Sequence, residues 1–184
     1  MKKSWIYDVL WLVTLAVILV ALRFYIFSPI KVQGESMMPN LIDGEKAIAL
    51  KVGDIERFDI VPLKAPDDPS LYYVKRVIGL PGDTISYKDD MLYVNEKPLN
   101  EDYLNQYKQD WQNAGNIEPL TPDFTLEEMT GQATVPANTY FVLGDNRQVS
   151  KDSRVKEVGF IPEKNIIGKA KVSFWPPSQW GKIE

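Results

Sequence analysis

From Val9 to Leu22 the chain runs for 14 residues without a charge or a proline. No other feature restricts its architecture as strongly. Fourteen residues fall short of the ~20 that a helix needs to cross a bilayer, but the flanks extend the run. Ser4, Trp5, Ile6 and Tyr7 precede it, with Asp8 the single charge between them and Val9. Phe24-Tyr25-Ile26-Phe27 continues the apolar pattern past Arg23, whose long side chain can reach the interface. Trp5 and Tyr7 at one end, and Tyr25 and Phe27 at the other, have the character of interfacial aromatics. The competing readings are a cleavable export signal and a buried core helix. A cleavage site calls for small residues after the apolar run, and Arg23-Phe24-Tyr25-Ile26-Phe27 is bulky. A core helix carries a polar stripe, and this run is too uniformly apolar for one. The sequence favours an uncleaved transmembrane anchor. Lys2 and Lys3 argue for a cytoplasmic N-terminus, while Arg23 and Lys31 on the far flank count against it.

Pro29 is expected to end the helix. From Ile30 the hydrophobic period becomes two. Strands are expected at Ile30–Gln33, Lys46–Leu50, Phe58–Val61, Leu71–Gly79, Thr139–Leu143 and Lys169–Trp175, with a loop over Lys64–Ser70 around Pro66 and Pro69. Thr84–Tyr87 and Met91–Val94 flank Lys88-Asp89-Asp90 and read as a hairpin. Leu99 to Gln132 is polar, acidic and without a steady period, and reads as an insertion or surface excursion. The chain therefore divides into residues 1–28, a cytoplasmic N-terminus and anchor, and residues 29–184, a mostly β domain with an insertion at about 99–132. Many short strands with turn signals indicate a sandwich or barrel-like body.

Composition removes whole classes of chemistry. There is no histidine and no cysteine. A Ser-His-Asp triad, a disulfide framework and a thiolate metal centre are thereby excluded, and a zinc site would have to use carboxylates alone, which is unusual. The net charge is −4, with no basic block, so nucleic acid is not an expected partner.

A serine nucleophile in such a chain needs a base other than histidine, and Ser-Lys pairs are a known solution. Ser36 lies in the turn Gly34-Glu35-Ser36-Met37-Met38-Pro39, just past the anchor. Its N–H can face a developing oxyanion, and Gly34 leaves room for a substrate backbone. The plain alternative is a serine serving turn chemistry. Lys75 lies in the expected strand Leu71–Gly79. Alternation places Leu71, Tyr73, Lys75 and Val77 on one face and Tyr72, Val74, Arg76 and Ile78 on the other. An apolar face lowers a lysine pKa toward that of a working base. The plain alternative is a strand-edge lysine with its amine in water. A third stretch, Gly144 to Arg154, is dense in polar groups straight after an apolar strand. It reads either as a solvated loop or as a polar wall beside Ser36 and Lys75. In the second reading Ser150 hydrogen-bonds the Lys75 amine, and Asp152 pairs with Arg154 or Arg76.

Together these stretches resemble the bacterial type I signal peptidases, from the anchor to about Trp175. Ser36-Met37-Met38-Pro39 is similar to the family's nucleophile motif. Tyr73-Val74-Lys75-Arg76-Val77-Ile78-Gly79-Leu80-Pro81-Gly82-Asp83 is similar to its lysine motif. Gly144-Asp145-Asn146-Arg147 with Ser150, Asp152, Ser153 and Arg154 is similar to its third. The resemblance implies a Gram-positive-type serine endopeptidase of the cell membrane, with Ser36 as nucleophile and Lys75 as base. Ser150, Asp152, Arg154 and Arg76 would support the dyad, and Gly34, Met37 and Pro39 would lie against substrate. It further implies an extracytoplasmic domain of coiled antiparallel β-sheets on a single-pass anchor. The implied partners are membrane lipid and the signal peptides of exported preproteins, and the resemblance implies that no metal or organic cofactor takes part. Some members carry a serine two positions before the nucleophile; here that position is Gly34. A non-catalytic relative that assembles surface proteins lacks the serine or the lysine, and both are present. The self-cleaving Ser-Lys repressors carry a DNA-binding segment where this chain has its apolar run.

Overall fold

The computed structural model describes residues 4–68 and 70–183. The basic start at Met1, Lys2 and Lys3, and the loop proline Pro69, lie outside them. Helix α1 spans Ser4–Tyr25, 22 residues, or about 33 Å at 1.5 Å per residue, enough for a hydrocarbon layer of ~30 Å. Its apolar side chains are exposed along almost its whole length, which in water would be a large unpaid hydrophobic area. The chain therefore has an N-terminal helix long and apolar enough to cross a membrane.

Pro29 does not end this helix. The helix stops at Tyr25, and Pro29 lies inside the first strand, β1, Phe27–Lys31. Two physical effects account for the difference. A proline pushes the residue before it into extended geometry, so the strand begins upstream of Pro29. Lys51 also takes over the last turn: its Nζ donates to Phe24 O at 2.9 Å and its N–H donates to Ile26 O at 2.8 Å. A cation on C-terminal carbonyls is a favourable stop. β1 is an edge strand, where a missing N–H is tolerated.

The remaining strands follow in chain order: β2 Lys46–Leu50, β3 Ile60–Lys64, β4 Tyr72–Gly79, β5 Ile85–Lys88, β6 Met91–Val94, β7 Lys97–Leu99, β8 Phe124–Thr125, β9 Thr139–Leu143, β10 Ile161–Pro162, β11 Lys169–Trp175 and β12 Gly181–Lys182. They build three four-stranded antiparallel sheets, ordered β1-β2-β11-β12, β10-β9-β4-β3 and β7-β6-β5-β8. The mostly β character expected from the pattern, and the antiparallel sheets that the resemblance implies, are what the chain adopts. The β5–β6 hairpin turns at Asp89 and Asp90, both at positive φ (51° and 63°), as a two-residue loop of matching twist requires. β3 starts two residues later than expected because Phe58 sits at φ 71°, outside strand geometry.

Segment 99–132 is more ordered than its irregular pattern suggests. It holds α2, Asn105–Asn113, and α3, Leu126–Thr130. α3 opens on a reciprocal capping box between Thr125 and Glu128 and closes on Gly131 at φ 73°, a combination its Thr-x-x-Glu sequence encodes locally. The segment also buries Leu104, Leu120, Phe124 and Leu126.

β4 is the strand on which the molecule turns. Its Ile78 joins one apolar cluster with Tyr87, Leu92 and Phe141. Val77 joins a second with Val61, Leu63 and Val142. Val74 joins a third with Val32, Met37 and Ile60. From Val74 onward β4 is buried on both faces. The two charged residues in the middle of this strand, Lys75 and Arg76, are carried into the interior with it.

Candidate active site

Lys75 is 3% exposed. On its β3 side it is paired in register with Val61, and its amine lies 5.3 Å from the centre of the Tyr73 ring. Burial pulls the Lys75 pKa down to about 8; the nearby charges of Asp152 and Asp145 oppose that fall and Arg154 adds to it. Desolvation disfavours the ammonium form more than the neutral amine, which is the direction a base requires. The amine sits 2.7 Å from Ser36 Oγ, within proton-transfer reach. The strand-edge alternative for Lys75 does not fit this burial.

The nucleophile turn is built locally and pinned from afar. Met38 N–H donates to Glu35 O at 3.1 Å and Leu41 N–H to Met37 O at 2.9 Å. Gly34 sits at φ +79°, left-handed backbone that favours glycine, and its N–H donates to the Asp43 carboxylate at 2.8 Å. Met37 does not face a groove. It is 1% exposed and packs with Val32, Leu41 and Ile60, so it anchors the turn through the core and is not a substrate contact. Pro39 is exposed.

The register of β9 delivers the third stretch. Leu143 pairs with Arg76 across the β4–β9 ladder. The next residue, Gly144, leaves the sheet level with Lys75. Gly144 N–H donates to Asp152 Oδ2 at 3.0 Å, and Arg154 pairs with Asp152 through Nε at 2.8 Å. Of the two partners expected for Asp152, the structure therefore selects Arg154. The expected Ser150–Lys75 hydrogen bond is not formed. Ser150 Oγ is buried without a partner, because the hydroxyl is turned onto the Gly144 backbone. A Cβ on Gly144 would lie 2.2 Å from Ser150 Oγ and 2.4 Å from Ser36 O. The second neighbour is backbone and has no rotamer to yield. Gly144→Ala is therefore expected to push the Ser36 turn away from Lys75 and lower turnover about a hundredfold or more, the penalty typical of a misplacement near 1 Å. Single-turnover proteolysis by the folded variant checks this; a near-normal rate would mean that the turn moves without disturbing the pair.

Arg76 faces the opposite way from Lys75, as alternation predicts, but not into solvent. It is 1% exposed and grips Asp145 with two bonds, Nε to Oδ1 at 2.9 Å and Nη2 to Oδ2 at 2.7 Å. Its guanidinium carbon lies 3.8 Å from the Tyr103 ring centre. Asn40, four residues after Ser36, donates to Asp145 at 2.8 Å. Behind this lies a second buried pair, Arg147 with Glu101, joined by the hydroxyls of Tyr87 (2.8 Å) and Tyr103 (2.6 Å), both donating to Glu101. Asp145, Asn146, Asn40, Glu101 and Tyr103 were not identified as site residues from sequence. Asn40 lies close to Ser36 in the chain, but its partner Asp145 is 105 residues away; the other four are themselves far from Ser36 along the chain, and Asp145-Asn146-Arg147 carries a usable signal in its polar density after an apolar strand.

A groove of about 480 Å³ runs past Tyr73 and Val74, the two residues that precede Lys75 on β4. Pro29, Ile30 and Gln33 form one wall and Pro62, Tyr73 and Val74 the other. β1 and β3, which flank it, are each the edge strand of a sheet. Among the described residues no cluster of acidic side chains is arranged to hold a metal ion.

The arrangement can activate a serine hydroxyl beside a slot able to take an extended peptide. Comparison with known proteins points the same way. The family model for signal peptidase, peptidase S26, matches residues 3–175. Signal peptidase I of Bacillus caldolyticus is 47% identical over 174 residues, covering 92% of this chain and 91% of that protein. Signal peptidase IB of Staphylococcus aureus is 39% identical over 181 residues, covering 92% of this chain and 91% of that one. The crystal structure of a signal peptidase I from Enterococcus faecalis V583 superposes with a TM-score of 0.58 at 44% identity, over 64% of this chain and 97% of that chain.

Proposed function

The chain belongs to the signal peptidase family, peptidase S26, and from that premise we propose how its residues divide the work. It is a serine endopeptidase that removes N-terminal signal peptides from preproteins. Ser36 Oγ attacks the scissile carbonyl while neutral Lys75 takes the hydroxyl proton. The oxyanion is met by the Ser36 N–H, which donates to nothing else among the described residues. Lys75, now an ammonium, returns the proton to the leaving amine, and the mature N-terminus departs. The acyl-serine ester that remains is attacked by water, deprotonated in turn by Lys75, and the signal peptide is released as a carboxylate. As the ester breaks, Lys75 gives that proton to the departing Ser36 Oγ, which restores the hydroxyl and the neutral amine. The same amine thus serves as base and then acid in each half of the cycle, without histidine.

The observation that carries this reading is the 2.7 Å contact between Ser36 Oγ and a lysine amine whose burial brings its pKa to about 8. Substrate would enter the groove between β1 and β3 as an added strand, a common way for edge strands to hold extended peptides. The test is conversion of a purified preprotein to its mature form by the full chain and by Ser36→Ala. Cleavage by the wild type and none by a folded Ser36→Ala is the expected result; processing by Ser36→Ala would remove Ser36 as nucleophile.

We further infer that residues 29–184 lie on the extracytoplasmic face, with α1 as a single anchor and membrane lipid around it. The position of the dyad immediately past α1 supports this, because a signal peptide lodged in the bilayer would present its end there. Protease added to intact protoplasts is expected to degrade the β domain. Full protection of that domain would reverse the orientation.

A further inference from the structure

Direct contacts to Ser36 and Lys75 leave one question open: what aims the Ser36 N–H. The peptide bond between Glu35 and Ser36 is not among the cis bonds of the described chain. In a planar trans peptide the C=O and N–H point in opposite directions. Whatever holds the Glu35 carbonyl therefore also holds the direction of the Ser36 N–H.

Within the turn that carbonyl accepts from Met38 N–H at 3.1 Å; from outside the turn it is held by Asn146. Asn146 Nδ2 donates to Glu35 O at 3.2 Å, and the Asn146 main-chain N–H donates to Ser36 O at 3.0 Å. One residue thus grips the carbonyls on both sides of the nucleophile. A side-chain amide can be turned either way round, and with its oxygen toward Glu35 O it would repel. The Glu35 carbonyl, which can only accept, takes Nδ2 and so fixes the orientation, and Tyr107 holds the amide in it. The Tyr107 hydroxyl donates to Asn146 Oδ1 at 2.9 Å on the other side. Burial raises the Tyr107 hydroxyl above its ordinary value, so it remains a protonated donor wherever Lys75 is active. Tyr107 belongs to α2, on the segment between the lysine motif and the third motif, and is 71 residues from Ser36 in the chain.

We propose that Tyr107 and Asn146 are positioning residues of the reaction: a relay from α2 that sets the direction of the Ser36 N–H and hence the oxyanion site. This rests on the Ser36–Lys75 reading and extends it to a helix that carries no part of the dyad. A purely structural brace would behave differently. Disturbing the packing around the dyad would alter the burial of Lys75 and move the pH midpoint of activity. Misdirecting the N–H weakens binding of the transition state alone, lowering kcat with little change in KM or midpoint.

The test uses the full chain in detergent micelles with a purified preprotein, comparing wild type, Ser36→Ala, Tyr107→Phe, Asn146→Ala and the Tyr107→Phe/Asn146→Ala pair across pH. Loss of an oxyanion donor typically costs ~10²–10³ in kcat. Asn146→Ala is expected near the low end of that range, and Tyr107→Phe, which loosens the amide without removing it, at about five- to tenfold. KM should stay within about twofold, and the pH midpoint should stay where the wild type has it. The double variant should match Asn146→Ala, since Tyr107 acts only through Asn146. Tyr107→Phe removes one oxygen from a half-buried ring, so folding is retained. Unchanged kcat in Tyr107→Phe overturns the inference. So does a loss that comes with a shifted midpoint, or a double variant whose losses multiply. An active Ser36→Ala enzyme overturns the underlying reading and the relay with it. An inactive Ser36→Ala beside a fully active Tyr107→Phe overturns the relay alone.

Discussion

Replacing Lys75 with arginine is expected to give a folded protein that cleaves preprotein at least about 10⁴-fold more slowly, as when a member of a catalytic serine constellation is lost. Arginine keeps the charge and much of the length, but its guanidinium is not deprotonated in proteins. The variant therefore separates a lysine that acts as a base from one that acts as a fixed positive charge. In the wild type, activity should follow the neutral fraction of Lys75. With a pKa of about 8, kcat/KM should rise roughly tenfold per pH unit below 8 and level off above it. The kcat profile should lie at lower pH, because bound substrate removes more water from the amine.

The same shift has a consequence for stability. The folded value of Lys75 lies below that of the unfolded chain, near 10.4, so between about pH 8 and 10.4 the unfolded state binds more protons and stability rises with pH. Below about 8 the native state carries the full cost of a buried ammonium, on the order of 2–3 kcal/mol. Lys75→Met should therefore be inactive and yet unfold at higher temperature at neutral pH. Preprotein cleavage across pH, together with thermal unfolding by circular dichroism, checks both halves. A folded Lys75→Arg enzyme with near-normal turnover would eliminate the lysine-base mechanism.

Breaking the Arg76–Asp145 pair should cost a large share of the stability of the fold. Both side chains are essentially inaccessible, at 1% and 0% exposed. Removing one partner of such a pair strands the other charge in the interior, at a cost of about 3–5 kcal/mol. Asp145→Asn does this with almost no change in shape. Arg76→Lys keeps the charge but cannot reproduce the paired bonds to Asp145, the bond to Phe58 O at 3.0 Å or the stack on Tyr103. At ~2–4 °C per kcal/mol for a domain of this size, either variant should melt roughly ten degrees lower. The two then differ at the dyad. Asp145 is one of the charges that raise the Lys75 pKa, so whatever Asp145→Asn enzyme remains folded should have its activity profile displaced below the wild-type midpoint. Arg76→Lys, which retains the carboxylate, should show a smaller displacement. Melting within about 1 kcal/mol of wild type would mean that water reaches this pair and screens it.

Features that depend on near neighbours were legible in the sequence. The apolar run, the period-two strands and the β5–β6 hairpin are decided within a few residues. Asp152 and Arg154 are two positions apart, and their pairing is equally local. Ser36 and Lys75 were legible for a related reason: a chain without histidine or cysteine leaves few groups able to activate a hydroxyl. The anchor boundary was misread because Pro29 was taken as a helix terminator, whereas an edge strand accepts it. The resemblance implies that Met37, next to the candidate nucleophile Ser36, lies against substrate. Only the packing of Val32, Leu41 and Ile60 shows that it points inward. Arg76, Asp145, Glu101, Arg147 and Tyr107 owe their roles wholly to tertiary structure. A charged or hydroxyl side chain is stable in the interior only if a partner reaches it there, and for the pairs Arg76–Asp145, Arg147–Glu101 and Tyr107–Asn146 the partner is 69, 46 and 39 residues away. Local periodicity is blind to such a partner, so segment 99–132 reads as solvated when it supplies the inner wall of the site. The lysine pKa is decided in the same way: the strand pattern places Lys75 on an apolar face, but only burial on both faces of β4 removes the water that would keep it protonated.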